Sequence, residues 1–180
     1  MTSEPNLPDP GIQSAEDRLA MSKRFQIHAH EELEKGHRLQ AGNKAYGAVV
    51  QVLKVIAEQR GWHHNSNRHI EALGNVITQE YGNAALAAYI TDVYHKGHRN
   101  FYENAYDREE LEDLLDRLDD SLPDLYDLVE APPRPVTIKN ASQLRQLKSL
   151  TGRDDLKVGD TSNVGFSNTH RNDGSVTECN

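Results

Sequence analysis

The sequence contains a single cysteine, Cys179, which excludes an intramolecular disulfide and a zinc site built on cysteines. It also lacks any apolar run approaching about 18 residues, the length that marks a membrane-spanning helix. The first residues contain no apolar core of a secretory signal. Together these absences predict a soluble, cytoplasmic protein that has no membrane partner.

Apolar residues and positive charge are both scarce. Hydrophobic residues make up 36% of the chain, against roughly 45–50% in an average globular domain with glycine counted, so part of the chain is expected to add little to a core. The net charge of −8 argues against a broad basic surface for polyanions. Residues 103–130 carry 12 acidic and 2 basic side chains, whereas residues 1–102 carry 11 of each. The histidine-rich part of the chain is therefore neutral before any histidine is protonated.

Apolar residues recur every three or four positions in five segments, which predicts five helices. These helices span about 14–36, 39–60, 67–81, 83–102 and 107–130. The second is apolar around most of its circumference and is expected to be the most buried. Gly97 in the fourth indicates a kink or a close backbone contact, and Pro123 is expected to interrupt the fifth.

The predicted fold is all-α, an up-and-down antiparallel helical bundle of four to five helices with disordered N- and C-terminal tails. Residues 1–13 contain three prolines and are expected to be a disordered leader. Residues 14–130 form the bundle. Residues 131–180 are predicted to be a proline-containing linker and a mostly disordered tail, with room for one short helix at about 141–150.

Two groups of histidines are expected to meet at one end of this bundle. One group follows the second helix, and the other lies near the end of the fourth. If the helices alternate in direction, about fifteen residues of the fourth helix, at 1.5 Å each, return the chain to the level of the first group. The residues expected at this end are His63, His64, His69, His95, His98 and Arg99.

Two strings in this region resemble a known family. They are Gly61-Trp62-His63-His64, after a long alanine-rich helix, and His98-Arg99-Asn100-Phe101-Tyr102-Glu103, before an acidic helix. In this order and spacing, residues 14–130 resemble the PaREP-type branch of the HEPN superfamily of small helical proteins. The resemblance implies a nucleotide- or RNA-associated role, a homodimer, and a setting in defence or toxin–antitoxin systems with a nucleotidyltransferase-type partner.

One departure from the family pattern bears on activity. Many HEPN proteins are metal-independent ribonucleases. Their hallmark is an arginine and a later histidine with four to six residues between them. Neither Arg99 nor Arg60 has a histidine at that spacing, and Arg24 and His30 satisfy it only on the first helix. The resemblance therefore implies the fold and the RNA- or nucleotide-associated role, and does not extend to cleavage.

Three functions remain open for the histidine-rich end. In a ribonuclease, His98 and His64 would transfer protons and Arg99 would hold the phosphate. In a binding domain without catalysis, the contacts would come from His63, His69, His95, Asn100, Tyr102 and Glu103. In a purely structural or dimerisation domain, Trp62 would close the end of the bundle, and His98 and Asn100 would bond to its backbone.

No cofactor and no metal is predicted. A metal site from His95 and His98, with His64 or His69 and Glu103, has suitable nitrogen and oxygen ligands, but its spacing matches no strong motif. The acidic fifth helix is expected to be a solvated face, and its leucines could also serve a dimer. The preferred interpretation is an RNA- or nucleotide-associated accessory domain.

Overall fold

The structure is a computed structural model and describes residues 13–100 and 104–167. Over these residues the chain is mainly helical, which confirms the all-α prediction. The helices are α1 (Ala15–Glu34), α2 (Arg38–Arg60), α3 (Asn67–Tyr81), α4 (Ala84–Val93), a π-helix (Tyr94–Arg99), α5 (Arg108–Glu130) and α6 (Ala141–Thr151). Strands β1 (Val136–Thr137) and β2 (Thr161–Ser162) pair antiparallel. None of the described helices is both long enough and apolar enough to cross a membrane.

Local capping chemistry determines most helix ends. The Ser14 side chain accepts a hydrogen bond from the peptide N–H of Asp17, and the Ser66 side chain does the same for His69. Asp107 and Glu110 form a complete capping box at the start of α5. Helix α2 ends at Gly61, whose left-handed φ of 66° is the conformation expected of a C-terminal glycine.

Helix α2 is the centre of the fold, as its apolar circumference predicts. Its largest packing surface is shared with α1, and α5 and the π-helix also lie against it. Arg18 of α1 pairs with Glu58 near the end of α2, so α1 is antiparallel to α2. Gly97 of the π-helix lies against Gly42 near the start of α2, so α4 and the π-helix also run opposite to α2.

Helix α3 runs in the same direction as α2, unlike in a strictly alternating bundle. Asn67, the first residue of α3, contacts Tyr46 near the middle of α2, and Glu80 near the end of α3 pairs with Arg60 at the end of α2. Residues 61–66 therefore pass back along α2 instead of making a tight turn. This connection changes which side chains His98 meets.

Helix α5 continues through Pro123, so the expected interruption there is wrong. Its apolar face is fully buried in the core and consists of Leu111, Leu114, Leu115, Leu118, Leu122 and Leu125. The free energy gained by burying these leucines exceeds the cost of the backbone hydrogen bond that the proline cannot donate. The same burial means that these leucines are used inside the chain and are not available for a dimer.

The described part of the C-terminal segment, residues 131–167, packs against the bundle, which differs from the expectation of a linker and a mostly disordered tail. Helix α6 lies on α3, and its bounds match the predicted short helix. Ile138, Leu156 and Phe166 are buried in the main core. The Trp62 indole N–H donates to the carbonyl oxygen of Phe166 at 2.7 Å. The leader over residues 1–12 and the tail over residues 168–180 lie outside the described residues.

Candidate functional site

The π-helix organises the candidate site because its wider turn changes which side chains share a face. In a π-helix the hydrogen bonds run from residue i to residue i+5, and such segments are frequent at functional sites. The His98 ring stacks on the Tyr94 ring, with centroids 5.8 Å apart and an angle of 27° between the ring planes. The His95 ring meets the edge of the same Tyr94 ring at 5.3 Å.

Tyr46 of α2 completes an aromatic cluster, which we define as Tyr46, Tyr94, His95 and His98. The Tyr46 ring lies 5.1 Å from His98 and 5.8 Å from Tyr94, measured between centroids. Tyr46 itself is buried, whereas the other three side chains are partly exposed. Burial raises the pKa of the Tyr46 hydroxyl to about 12, and Tyr94 and Glu71 add to the shift. The Tyr46 hydroxyl is therefore neutral at physiological pH.

Asn67 connects this cluster to the start of α3. Its amide Nδ2 lies 3.1 Å from Nε2 of His98, and its Oδ1 is 3.5 Å from the Tyr46 hydroxyl, a long contact. An amide nitrogen only donates, so Nε2 of His98 accepts, and the proton of the neutral ring is on Nδ1. The Asn67 amide thereby favours this orientation and tautomer of the His98 ring.

A small cavity of about 30 Å³ lies beside the aromatic cluster. Its lining is largely apolar and includes Tyr46, Ile70, Glu71, Ile90, Tyr94 and His95. This volume holds about one water molecule, so a ligand of nucleotide size would have to bind across the exposed rings and not inside.

Arg99 and Asn100 follow His98 but lie in different environments. Arg99 is exposed, and no ion-pair partner for it is found in residues 13–100 and 104–167. Asn100 is 2% exposed, and its side-chain oxygen accepts from the peptide N–H of Ala105 at 2.6 Å. Asn100 thus shapes the connection to α5, which is the backbone-bonding role considered for it. The predicted binding residues Tyr102 and Glu103 lie outside the described residues.

The histidines after α2 do not join the aromatic cluster. Nε2 of His64 lies 3.2 Å from the Glu58 carboxylate, which also pairs with Arg18 of α1. No contact between His64 and His98 is found in the described part of the chain. The other ring nitrogen of His64 is buried, and no hydrogen-bond partner for it is found within residues 13–100 and 104–167. Burial lowers the His64 pKa, Glu58 opposes the shift, and Arg18 and Lys54 reinforce it.

His63 and His69 form a second pair on the side of α6. Their rings stack with centroids 5.8 Å apart. The peptide N–H of His63 donates to the carbonyl oxygen of Leu150, and Nδ1 of His69 lies 3.0 Å from the side-chain oxygen of Asn65. Burial lowers the His69 pKa, and His63 and Arg68 lower it further. The histidines expected at one end of the bundle therefore lie in three separate groups. They are separated because residues 61–66 pass back along α2.

Several residues of the site were not identified from the sequence. The sequence placed Tyr46 only inside the second helix and Asn67 only at the start of the third. The two residues are 21 positions apart in the chain, and no sequence pattern indicates their contact, which depends on the path of residues 61–66. In residues 13–100 and 104–167, no three histidine, cysteine or carboxylate side chains are grouped so that they could hold a metal ion.

Comparison with known proteins gives one match. The model of the Archaeal PaREP1/PaREP8 family matches residues 17–122, more than half of the chain and a range that includes both strings of the resemblance. No curated protein and no solved structure matches this chain. The PaREP part of the resemblance is confirmed: the chain belongs to the archaeal PaREP1/PaREP8 family.

Proposed function

We propose that this protein binds RNA or nucleotides through the aromatic cluster and Arg99. The observation that carries the proposal is the fixed position of His98 between Tyr46, Tyr94 and the Asn67 amide, next to an exposed arginine. Aromatic and imidazole rings stack on unpaired bases, and arginine binds the phosphates that connect them. The partly exposed rings and the cation lie within one short helix.

Binding without cleavage fits the geometry better than a ribonuclease does. A metal-independent ribonuclease with His64, His98 and Arg99 requires its proton-transferring groups on one phosphate, within hydrogen-bond reach. His64 instead bonds to Glu58 and takes part in the contacts between α1 and α2. We therefore assign His98 and Arg99 to ligand contact and His64 to the packing of the bundle.

The proposed biological setting follows from the resemblance to HEPN proteins. It is an accessory domain in a defence or toxin–antitoxin system, with a nucleotidyltransferase-type partner protein. A homodimer in this setting would have to use a surface other than the leucine face of α5, because those leucines pack against the chain's own core.

The test measures binding and cleavage of a mixed pool of short RNAs, with and without EDTA. We expect binding without cleavage, and a loss of about tenfold in affinity for Arg99→Gln, the size expected for one hydrogen bond to a charged group. His98→Ala should weaken binding as well. His28→Ala is the matched control, since His28 is an exposed histidine on α1.

The melting temperature of each variant distinguishes binding from a structural role. An inert protein whose His98→Ala variant only melts earlier would contradict the proposal and favour a structural domain. Cleavage that persists in EDTA and disappears in His98→Ala would instead establish the ribonuclease.

A further inference from the structure

A polar groove of about 190 Å³ lies between α3 and α6. It is lined by Arg68, Glu71, Ala72, Ser142, Arg145, Gln146 and Ser149. Arg68 and Arg145 come from different helices and are both exposed. Over residues 13–100 and 104–167, neither arginine has an ion-pair partner. Both arginines line the groove together with the hydroxyl and amide side chains of Ser142, Gln146 and Ser149.

The charge of this groove is opposite to that of the whole chain. Two arginines and one glutamate give a charge of +1, whereas the chain carries −8. His69, which follows Arg68, has its pKa lowered by burial and further by His63 and Arg68. Arg68 lowers the His69 pKa because its positive charge makes the local potential positive. A positive potential attracts phosphate.

The groove and the aromatic cluster meet at the first turns of α3. Asn67 contacts His98, the next residue Arg68 lines the groove, and Glu71 lines both the groove and the cavity beside the cluster. A helix with its side chains is about 10 Å across. A single nucleotide would occupy one of the two surfaces, whereas a strand would reach both.

We propose that the α3–α6 groove binds the phosphate backbone of a single-stranded RNA whose bases stack on the aromatic cluster. The inference rests on the proposed function and specifies its ligand as a strand instead of a mononucleotide. It also assigns a role to α6, which lies outside residues 17–122 that match the family model. Arg145 supplies the second cation, and Glu71 repels the strand.

The experiment measures affinity for a short unstructured RNA as a function of salt concentration, with a mononucleotide as competitor. Arg145→Gln and Arg68→Gln should each weaken binding about tenfold. Each should also reduce the slope of log affinity against log salt by about 0.7, the value for one phosphate of a single strand. Arg24→Gln is the matched control, because Arg24 is an exposed arginine on α1.

Glu71→Gln separates a charge effect from a loss of folding. Removing this carboxylate should tighten RNA binding by several-fold, which a damaged fold would not do. Unchanged affinity in Arg145→Gln, Arg68→Gln and Glu71→Gln, with weaker binding in Arg99→Gln, would overturn the groove and leave the proposed function standing. A mononucleotide that competes as strongly as the strand would also overturn it. Failure of the unmodified protein to bind any RNA would overturn both proposals.

Discussion

Gly97 lies where two helix backbones touch, and its missing side chain makes this contact possible. A Cβ at this position would lie 3.0 Å from Cβ of Tyr46 and still closer to the carbonyl oxygen of Gly42. Backbone atoms cannot rotate out of the way as a side chain can. The sequence indicated a kink or a close contact at Gly97, and the structure confirms the contact.

We predict that Gly97→Ala lowers the free energy of unfolding by about 1–3 kcal/mol, the range for overpacking a dense core. The two helices would have to separate, and the gain in helix propensity from alanine is too small to compensate. Denaturant unfolding measures the effect. The control is Gly47→Ala, whose new Cβ would have the Phe25 ring, a side chain that can shift, as its nearest neighbour at 3.0 Å. Equal stabilities for the two variants would contradict this explanation.

The residues of the candidate site were only partly predictable from the sequence. His95, His98 and Arg99 could be selected because they are functional residue types close together in the chain. The partners of His98 are Tyr46 and Asn67, and they could not be selected. A tyrosine inside one helix and an asparagine at the start of another carry no local sign of a distant contact. Local chemistry identified the π-helix side of the site, and tertiary packing determines the other side.

Helix ends were predictable because capping is local. Ser14, Gly61 and Asp107 satisfy the free backbone groups at helix ends within a few residues, so the sequence alone indicates them. The path of α5 through Pro123 was not predictable in this way. Continuation of that helix depends on leucines that are buried in the core on both sides of the proline.

We predict that Pro123→Ala stabilises the protein by up to about 3 kcal/mol, the cost of proline inside a helix. Pro123 is exposed, so alanine there restores a backbone N–H without leaving a cavity in the core. Thermal unfolding measures the gain. Asp124→Ala, at the next exposed position, should change stability by less than about 0.7 kcal/mol. A less stable Pro123→Ala would mean that the packing of α5 requires the proline.

At the scale of the whole molecule, the Glu80 carboxylate connects the C-terminal segment to the bundle. The Glu80 side chain is fully buried, pairs with Arg60, and accepts from the peptide N–H of Arg134 at 2.7 Å. The tail within residues 131–180 was expected to be mostly disordered, and large apolar residues are few after residue 150. Two of these apolar residues, Leu156 and Phe166, are buried in the core. The small number of apolar residues therefore did not predict that the segment packs against the bundle.

We predict that Glu80→Gln destabilises the protein by about 3–5 kcal/mol, because it leaves the Arg60 side chain, which is only 9% exposed, without its counter-charge. Residues 131–167 should then loosen first and be cut by protease while the helical signal of the bundle persists. Glu112→Gln is the matched control, since it breaks an exposed pair with Arg108 that is worth less than about 1 kcal/mol. Identical protease patterns for the two variants would contradict this role of Glu80.

The hydrogen bond between Trp62 and Phe166 gives the chain a built-in optical reporter. Trp62 is the sole tryptophan, it is 4% exposed, and its indole bonds to a carbonyl 104 residues away along the chain. If residues 131–167 undock, this indole becomes exposed to water, so tryptophan emission should report the docking of that segment, whereas circular dichroism should report the helices.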